Sequence, residues 1–339
     1  MSEGGDKPRA RLRRLTGIEV LATGSYVPEQ IVTNEDLQRT LGFDPEWVVQ
    51  RTGIRQRRHA PPDMATSDLA VRAARNAIDS AGVSVDDIDL LLVATFTPDL
   101  TCPSTACLVQ DRLGIRAPAC DMVAACAGFV YAMTTAMQYV ATGCSELALV
   151  VGADCNSRVL NPQDQRTYPL FGDGAGAVLL RRGSPEQGLL AYELGADGAG
   201  VPLLHRRLGG TRQGPLAENI TTPPDYLHMD GRAVFKWAIR LVSQSSTDVL
   251  RHAGLTVNDL DLAIFHQANI RIVDAAAEAM GLPREKLFVN LDRYGNTSGG
   301  SIPLALDEAV RQGRVKRGDR VLLCGFGAGL AWGTAVVKW

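Results

Sequence analysis

An internal repeat with a period of about 170 residues is the feature that most narrows what this chain can fold into. The segment VSVDDIDLLL, with Asp89 ahead of an apolar run, returns 172 positions later as LTVNDLDLAI, with Asp261 in the matching place. ALVVG, ending at Gly152, returns 173 positions later as VLLCG, ending at Gly325. Each half reads in one order: a helix (Ser67 to Ala81; Lys236 to Ala253), a short apolar strand, then helix, strand, helix, strand. That alternation belongs to parallel βαβ units, so the expected fold class is α/β, duplicated. Leu90 to Ala94 and Val321 to Leu323 are apolar at successive positions, as strands covered by helices on both faces should be. Two such sheets around a shared helical layer would have a pseudo-twofold axis, and ligands would sit outside the carboxyl ends of the strands. The halves are expected at residues 17–185 and 186–339, with no linker between them.

Composition sets the setting. Hydrophobic residues are 45% and charged ones 21% of 339, which is the balance of a soluble globular chain. Lys+Arg 35 against Asp+Glu 37 gives a net charge of -2 and no electrostatic footprint for duplex nucleic acid. Seven cysteines, none in a CxxC pair, make neither a disulfide scaffold nor a zinc site, and a cytoplasmic location is expected. Residues 1–16 carry arginines but no apolar core of a secretory signal, so they read as a flexible tail. Met122 to Ser145 is charge-free and long enough to span a bilayer, yet its Ala, Gly, Thr and Gln content points to a buried central helix and to no membrane.

Three polar groups fall at matching places. Cys126 follows the strand Cys120 to Val123 and opens the charge-free helix. A helix N-terminus favours an anion, so its thiol pKa is expected below the reference of about 8.5, giving a nucleophilic thiolate. Cys107, Cys120, Cys144, Cys155 and Cys324 are expected to be ordinary cysteines that act as small hydrophobes. Asn296 lies in a glycine-rich turn 170 positions after Cys126, where a pseudo-twofold axis would bring the two together. His266 ends the strand Leu262 to Phe265. A Cys with a distant His and Asn is the constellation of a covalent acyl-enzyme site. A cysteine hydrolase shares that count of residues, but the duplicated α/β order does not suit a papain-like fold. Gly325-Phe326-Gly327-Ala328-Gly329 follows a strand without the GxGxxG spacing, and its N–H groups could hold an oxyanion.

DMVAACAGF, FHQANIRI, RYGNTSGGSIP and GFGAGLAWG resemble, in order, the signature segments of β-ketoacyl-acyl carrier protein synthase III, and the likeness runs from about Gly17 to Trp339. The resemblance implies a thiolase-like, five-layered αβαβα fold and a homodimer that uses no cofactor beyond its substrates. It implies that Cys126 takes an acyl group from acyl-CoA and that malonyl on acyl carrier protein then loses CO₂ and attacks the thioester. His266 and Asn296 would steer the decarboxylation, and the N–H groups of Cys126 and Gly329 would form the oxyanion hole. Trp47 and Arg51 match the positions that sandwich the CoA adenine, and Asn269 joins them as a CoA-binding position. Lys236 and Arg271 match basic positions where a carrier protein would dock. The basic residue expected after NPQD falls one place late, at Arg166, with Gln165 before it. Cys102 and Leu330 stand where aromatics close the acyl pocket in relatives, so a roomier pocket for longer or branched primers is expected. The alternative is a same-fold acyltransferase or type III polyketide-like synthase with an unusual starter.

Overall fold

The computed structural model describes residues 11–206 and 226–339. In chain order its first strands are β1 (Arg13–Thr16), β2 (Ile18–Tyr26), β3 (Ile31–Thr33), β4 (Gln56–Arg58), β5 (Leu90–Ala94), β6 (Ala119–Met122), β7 (Leu147–Asp154) and β8 (Gly174–Arg182). They are followed by β9 (Gly188–Ala196), β10 (Leu204–His205), β11 (His228–Met229), β12 (Leu262–Phe265), β13 (Arg320–Gly327) and β14 (Ala331–Lys338). One large sheet runs β2-β8-β7-β5-β6 and the other β1-β9-β14-β13-β12. The repeat maps β9, β14, β13 and β12 onto β2, β8, β7 and β5, while the place of β6 is held by a lone parallel bridge between Ala263 and Leu287.

Side-chain alternation along the strands builds the layers. Leu90, Leu92 and Ala94 face a central core, whereas Leu91 and Val93 face the opposite side of their sheet. In β12 Leu262 and Ile264 face the same central core, and Ala263 and Phe265 face away from it. Helices Gly128–Thr142 and Ser301–Arg311 fill the space between the sheets. Helices Thr66–Ala81 and Thr105–Leu113 cover the outside of the first sheet, and Gly231–His252 and Ile270–Met280 the outside of the second. The result is the expected αβαβα order, with the charge-free stretch supplying a central helix. Among the described residues no helix is long and apolar enough to cross a membrane.

The repeated aspartates explain their own recurrence. Asp89 accepts the N–H groups of Glu146 and Leu147 at 2.7 and 3.3 Å, and Asp261 accepts that of Arg320 at 2.8 Å. Each therefore caps the start of the strand beside it, β7 or β13. The 3₁₀ turns just before them, Val85–Asp87 and Val257–Asp259, are both closed by a capping box.

Two expectations change. The sheets are mixed: β5 pairs in parallel with β6 and β7, and β12 with β13, but β7–β8, β2–β8, β13–β14 and β9–β14 are antiparallel. No α-helix lies between β7 and β8 or between β13 and β14, so the chain returns without a crossover. The expected tail at residues 1–16 is also too long. Arg13–Thr16 pairs antiparallel with β9, Arg13 opposite Tyr192 and Leu15 opposite Leu189. Leu12 and Leu15 bury on opposite faces, which fixes this segment in spite of its arginines, and residues 1–10 lie outside the described residues.

Candidate active site

Two turns, one from each half, meet between the sheets. After β6 the chain passes through the 3₁₀ turn Ala125–Ala127 into helix Gly128–Thr142, and in the second half through Ser298–Gly300 into helix Ser301–Arg311. Each turn holds a non-glycine residue in the left-handed region, Ala125 at φ 46° and Ser298 at φ 50°. Such strain, of order 1–3 kcal/mol, persists where the surroundings enforce it. Here the repeated glycines let each half press on the other's turn. A Cβ on Gly152 would overlap the carbonyl oxygen of Gly299, and one on Gly325 would lie 3.1 Å from Cα of Ala127.

The facing turns bring the chemistry together. Cys126 Sγ lies 3.3 Å from Ser298 Oγ. The N–H of Ser298 donates to Oδ1 of Asn296 at 2.8 Å, which leaves the Asn296 NH₂ as the free end of its amide. The Asn296 backbone is pinned by its N–H to the Leu170 carbonyl at 2.8 Å and by its carbonyl to the Gly172 N–H at 3.0 Å. His266, at the end of β12, donates its backbone N–H to the Cys324 carbonyl at 2.8 Å and packs edge-on against Phe326 with ring centroids 5.2 Å apart. Among the described residues its Nδ1 is buried without a partner, so Nε2 is the nitrogen left to face the cavity. A buried N–H without a partner costs more than a buried lone pair, which favours the tautomer with the proton on Nε2.

Cys126, His266 and Asn296 all line one cavity of about 680 Å³, within the ordinary range for a ligand site. Burial sets their protonation. The Cys126 thiol is pushed up to about 12 by desolvation, against a lowering hydrogen bond from Ser298. The expected depressed thiol pKa is therefore not found in the free chain: desolvation of a buried anion outweighs the helix N-terminus. Desolvation also pushes His266 down to about 3, so its imidazole is neutral at ordinary pH.

The other expected residues divide. Trp47, 40% exposed, and Arg51 line the mouth, with the guanidinium carbon 5.9 Å from the indole centroid. Asn269 also borders the cavity, but its side chain is occupied: Oδ1 caps helix Ile270–Met280 at the Arg271 N–H, 2.9 Å, and Nδ2 holds the Arg51 carbonyl at 3.0 Å. It positions Arg51, and the second N–H of its amide is left over at the cavity border. Gln165 and Arg166 both line the cavity. Arg271 lies on its rim with its guanidinium 5.3 Å over Phe235, and Lys236 is exposed on the neighbouring helix without lining it. Gly329 lines the cavity, and Gly327 comes so close that a Cβ there would lie 2.9 Å from Cys126 N.

Cys102 and Leu330 are not brought to the cavity. Cys102 is exposed, and Leu330 packs on Gly200 and is tied to Asp197 by two backbone hydrogen bonds of 2.7 and 2.9 Å. Two residues escaped the sequence reading. Ser298 was marked by the repeat itself, since it is 172 positions from Cys126. Asp154, an acid ending the apolar run of β7, accepts the Gly299 N–H at 2.8 Å and four donors from Thr95, Phe96 and Thr97, so it braces the second turn. Among the described residues there is no cluster of three metal-ligating side chains.

Comparison with known proteins accords with this geometry. The family models "3-Oxoacyl-[acyl-carrier-protein (ACP)] synthase III" and its C-terminal counterpart match residues 120–198 and 250–339. A β-ketoacyl-[acyl-carrier-protein] synthase III from Rhodopirellula baltica is 54% identical over 96% of this chain and 99% of its own. The crystal structure of synthase III from Thermus thermophilus superposes with a TM-score of 0.89 at 44% identity, covering 94% of this chain and 98% of the other. The priming β-ketosynthase of the R1128 polyketide pathway superposes with a TM-score of 0.89 at 36% identity, over 97% and 98%. The chain belongs to the β-ketoacyl-acyl carrier protein synthase III family of condensing acyltransferases.

Proposed function

We propose that this chain initiates fatty-acid synthesis by condensing an acyl-CoA primer with malonyl-acyl carrier protein at Cys126. The observation that carries this reading is the meeting of Cys126, His266 and Asn296, drawn from both halves, in one cavity. Cys126 attacks the primer thioester, CoA leaves as the thiol, and the N–H groups of Cys126 and Gly329 stabilise the oxyanion. The malonyl thioester then enters, and loss of CO₂ leaves an enolate whose oxygen accepts hydrogen bonds from His266 Nε2 and the Asn296 amide. A neutral imidazole suits that role, because it is a donor that brings no proton acidic enough to quench the carbanion. Attack of the enolate carbon on the Cys126 thioester releases the product and the Cys126 thiolate, which takes up a proton from solvent to restore the thiol. No cofactor takes part in this sequence.

Trp47 and Arg51 would stack on the CoA adenine, which needs them to part slightly from their 5.9 Å approach. Arg271 and Lys236, both exposed beside the cavity, would meet an acidic carrier protein. A homodimer is part of the reading. Val123 borders the cavity beside the unpaired edge of β6 and is 74% exposed, which is where a second copy would cover both. A cytoplasmic location fits substrates of this kind. Incubation with acetyl-CoA and malonyl-acyl carrier protein should yield 3-oxobutanoyl-acyl carrier protein. Turnover with malonyl-CoA alone, or only with an unusual starter, would favour the polyketide-like alternative that the R1128 likeness keeps in view.

A further inference from the structure

The Ser298 hydroxyl is aimed at the nucleophile and at nothing else. Its oxygen lies 3.3 Å from Cys126 Sγ, both atoms are buried, and among the described residues the hydroxyl has no other hydrogen-bond partner. The backbone of the same residue has a separate task, since its N–H orients Asn296. The left-handed φ of 50° is what allows both, turning the peptide toward Asn296 and the side chain toward the sulfur. We propose that Ser298 is a fourth catalytic residue, whose hydroxyl donates a hydrogen bond to the Cys126 sulfur as it becomes a thiolate.

The reason lies in the environment of the sulfur. Cys126 is buried and Asp154 adds an unfavourable charge nearby, so both desolvation and electrostatics resist the anion. The Ser298 hydroxyl is already 3.3 Å away before substrate arrives, a thiolate can only accept from it, and hydrogen bonds to charged groups are about twice as strong as neutral ones. The exchange balances without a further reagent. The sulfur loses its proton and forms a bond to the primer carbonyl carbon, the bond from that carbon to the CoA sulfur breaks, and the proton ends on the departing CoA thiol. The hydroxyl keeps its own proton throughout. Once the sulfur is acylated it carries no charge and the hydrogen bond weakens; it strengthens again when the sulfur leaves as a thiolate at the end of the second half-reaction, in which His266 and Asn296 hold the enolate oxygen.

This inference rests on Cys126 being the acylated residue, so the test uses a reagent that asks about the sulfur alone. The rate of Cys126 alkylation by iodoacetamide is measured against pH in the full chain and in Ser298→Ala and Ser298→Gly variants. Both lack the hydroxyl and keep the N–H that orients Asn296, and Gly in addition relaxes the left-handed turn. The expected result is that both profiles move to higher pH by about one unit, equal to a roughly ten-fold slower reaction at fixed pH. Profiles that coincide with that of the unaltered chain would overturn the proposal. So would a displacement in Ala alone, because backbone strain and not the hydroxyl would then be responsible. A shifted alkylation profile in a chain that fails to condense any primer would leave Ser298 in place and remove the proposed function instead.

Discussion

Ser298 Oγ and Cys126 Sγ are 3.3 Å apart in space and 172 residues apart in the chain, the same separation as Asp89 and Asp261. The pseudo-twofold relation of the two halves therefore passes through the site. One copy of a single turn carries Cys126, and the other carries the Ser298 hydroxyl together with Asn296. The close contacts of Gly152 with Gly299 and of Gly325 with Ala127 are the same contact made twice. A site built this way is held by the packing of the halves on each other.

Replacing Trp47 tests the nucleotide end. Stacking of a base on an aromatic ring is worth about 1–3 kcal/mol. Trp47→Ala should raise KM for acyl-CoA roughly ten-fold, while an acyl-pantetheine thioester, which has no adenine, should keep its KM. Equal losses on both substrates would place Trp47 elsewhere in the mechanism.

The neutral His266 has a signature in stability. With its pKa at about 3 in the fold against a reference of 6.5, the unfolded chain binds a proton that the folded chain refuses between those values. Stability thus falls as pH drops below 6.5 and is recovered as it rises, by about 1.4 kcal/mol per unit. Urea unfolding of the unaltered chain and His266→Gln at pH 6 and pH 5 should show that extra loss only in the former. His59, also depressed by burial, is common to both proteins and cancels in the comparison. Parallel losses would mean that His266 is protonated in the fold.

Gly327→Ala probes the approach of the glycine loop to the nucleophile. The added methyl would stand 2.9 Å from Cys126 N and 3.0 Å from its Cβ, and the backbone there has no cheap way to yield. Displacement by a fraction of an ångström to 1 Å should slow the acylation burst by about 100-fold. A burst within a few-fold of the original would show that the loop relaxes freely.

The duplication, the layers and the three side chains that meet in the cavity were legible in the sequence because each leaves a periodic or positional mark. Apolar runs gave the strands, the repeat gave the sheets, and Cys126, His266 and Asn296 each follow a strand or open a helix. Other features leave no such mark. The edge strand at Arg13–Thr16 is four residues long and rich in arginine, and only its partner β9 reveals it. Matching a motif locates a residue but not the direction of its side chain, so Leu330 turned out to face Gly200, and Asn269 to cap a helix and hold Arg51 as well as border the cavity. The thiol pKa depended on how deeply the turn is buried, a quantity that only packing settles.

Intact-mass analysis of the protein after mixing with acyl-CoA, followed by peptide mapping, bears most directly on the central claim that the two turns create a nucleophile at Cys126. The account predicts one acyl adduct per chain, located on Cys126 and absent from Cys126→Ala. An adduct that persists in Cys126→Ala, or maps to another cysteine, would contradict it.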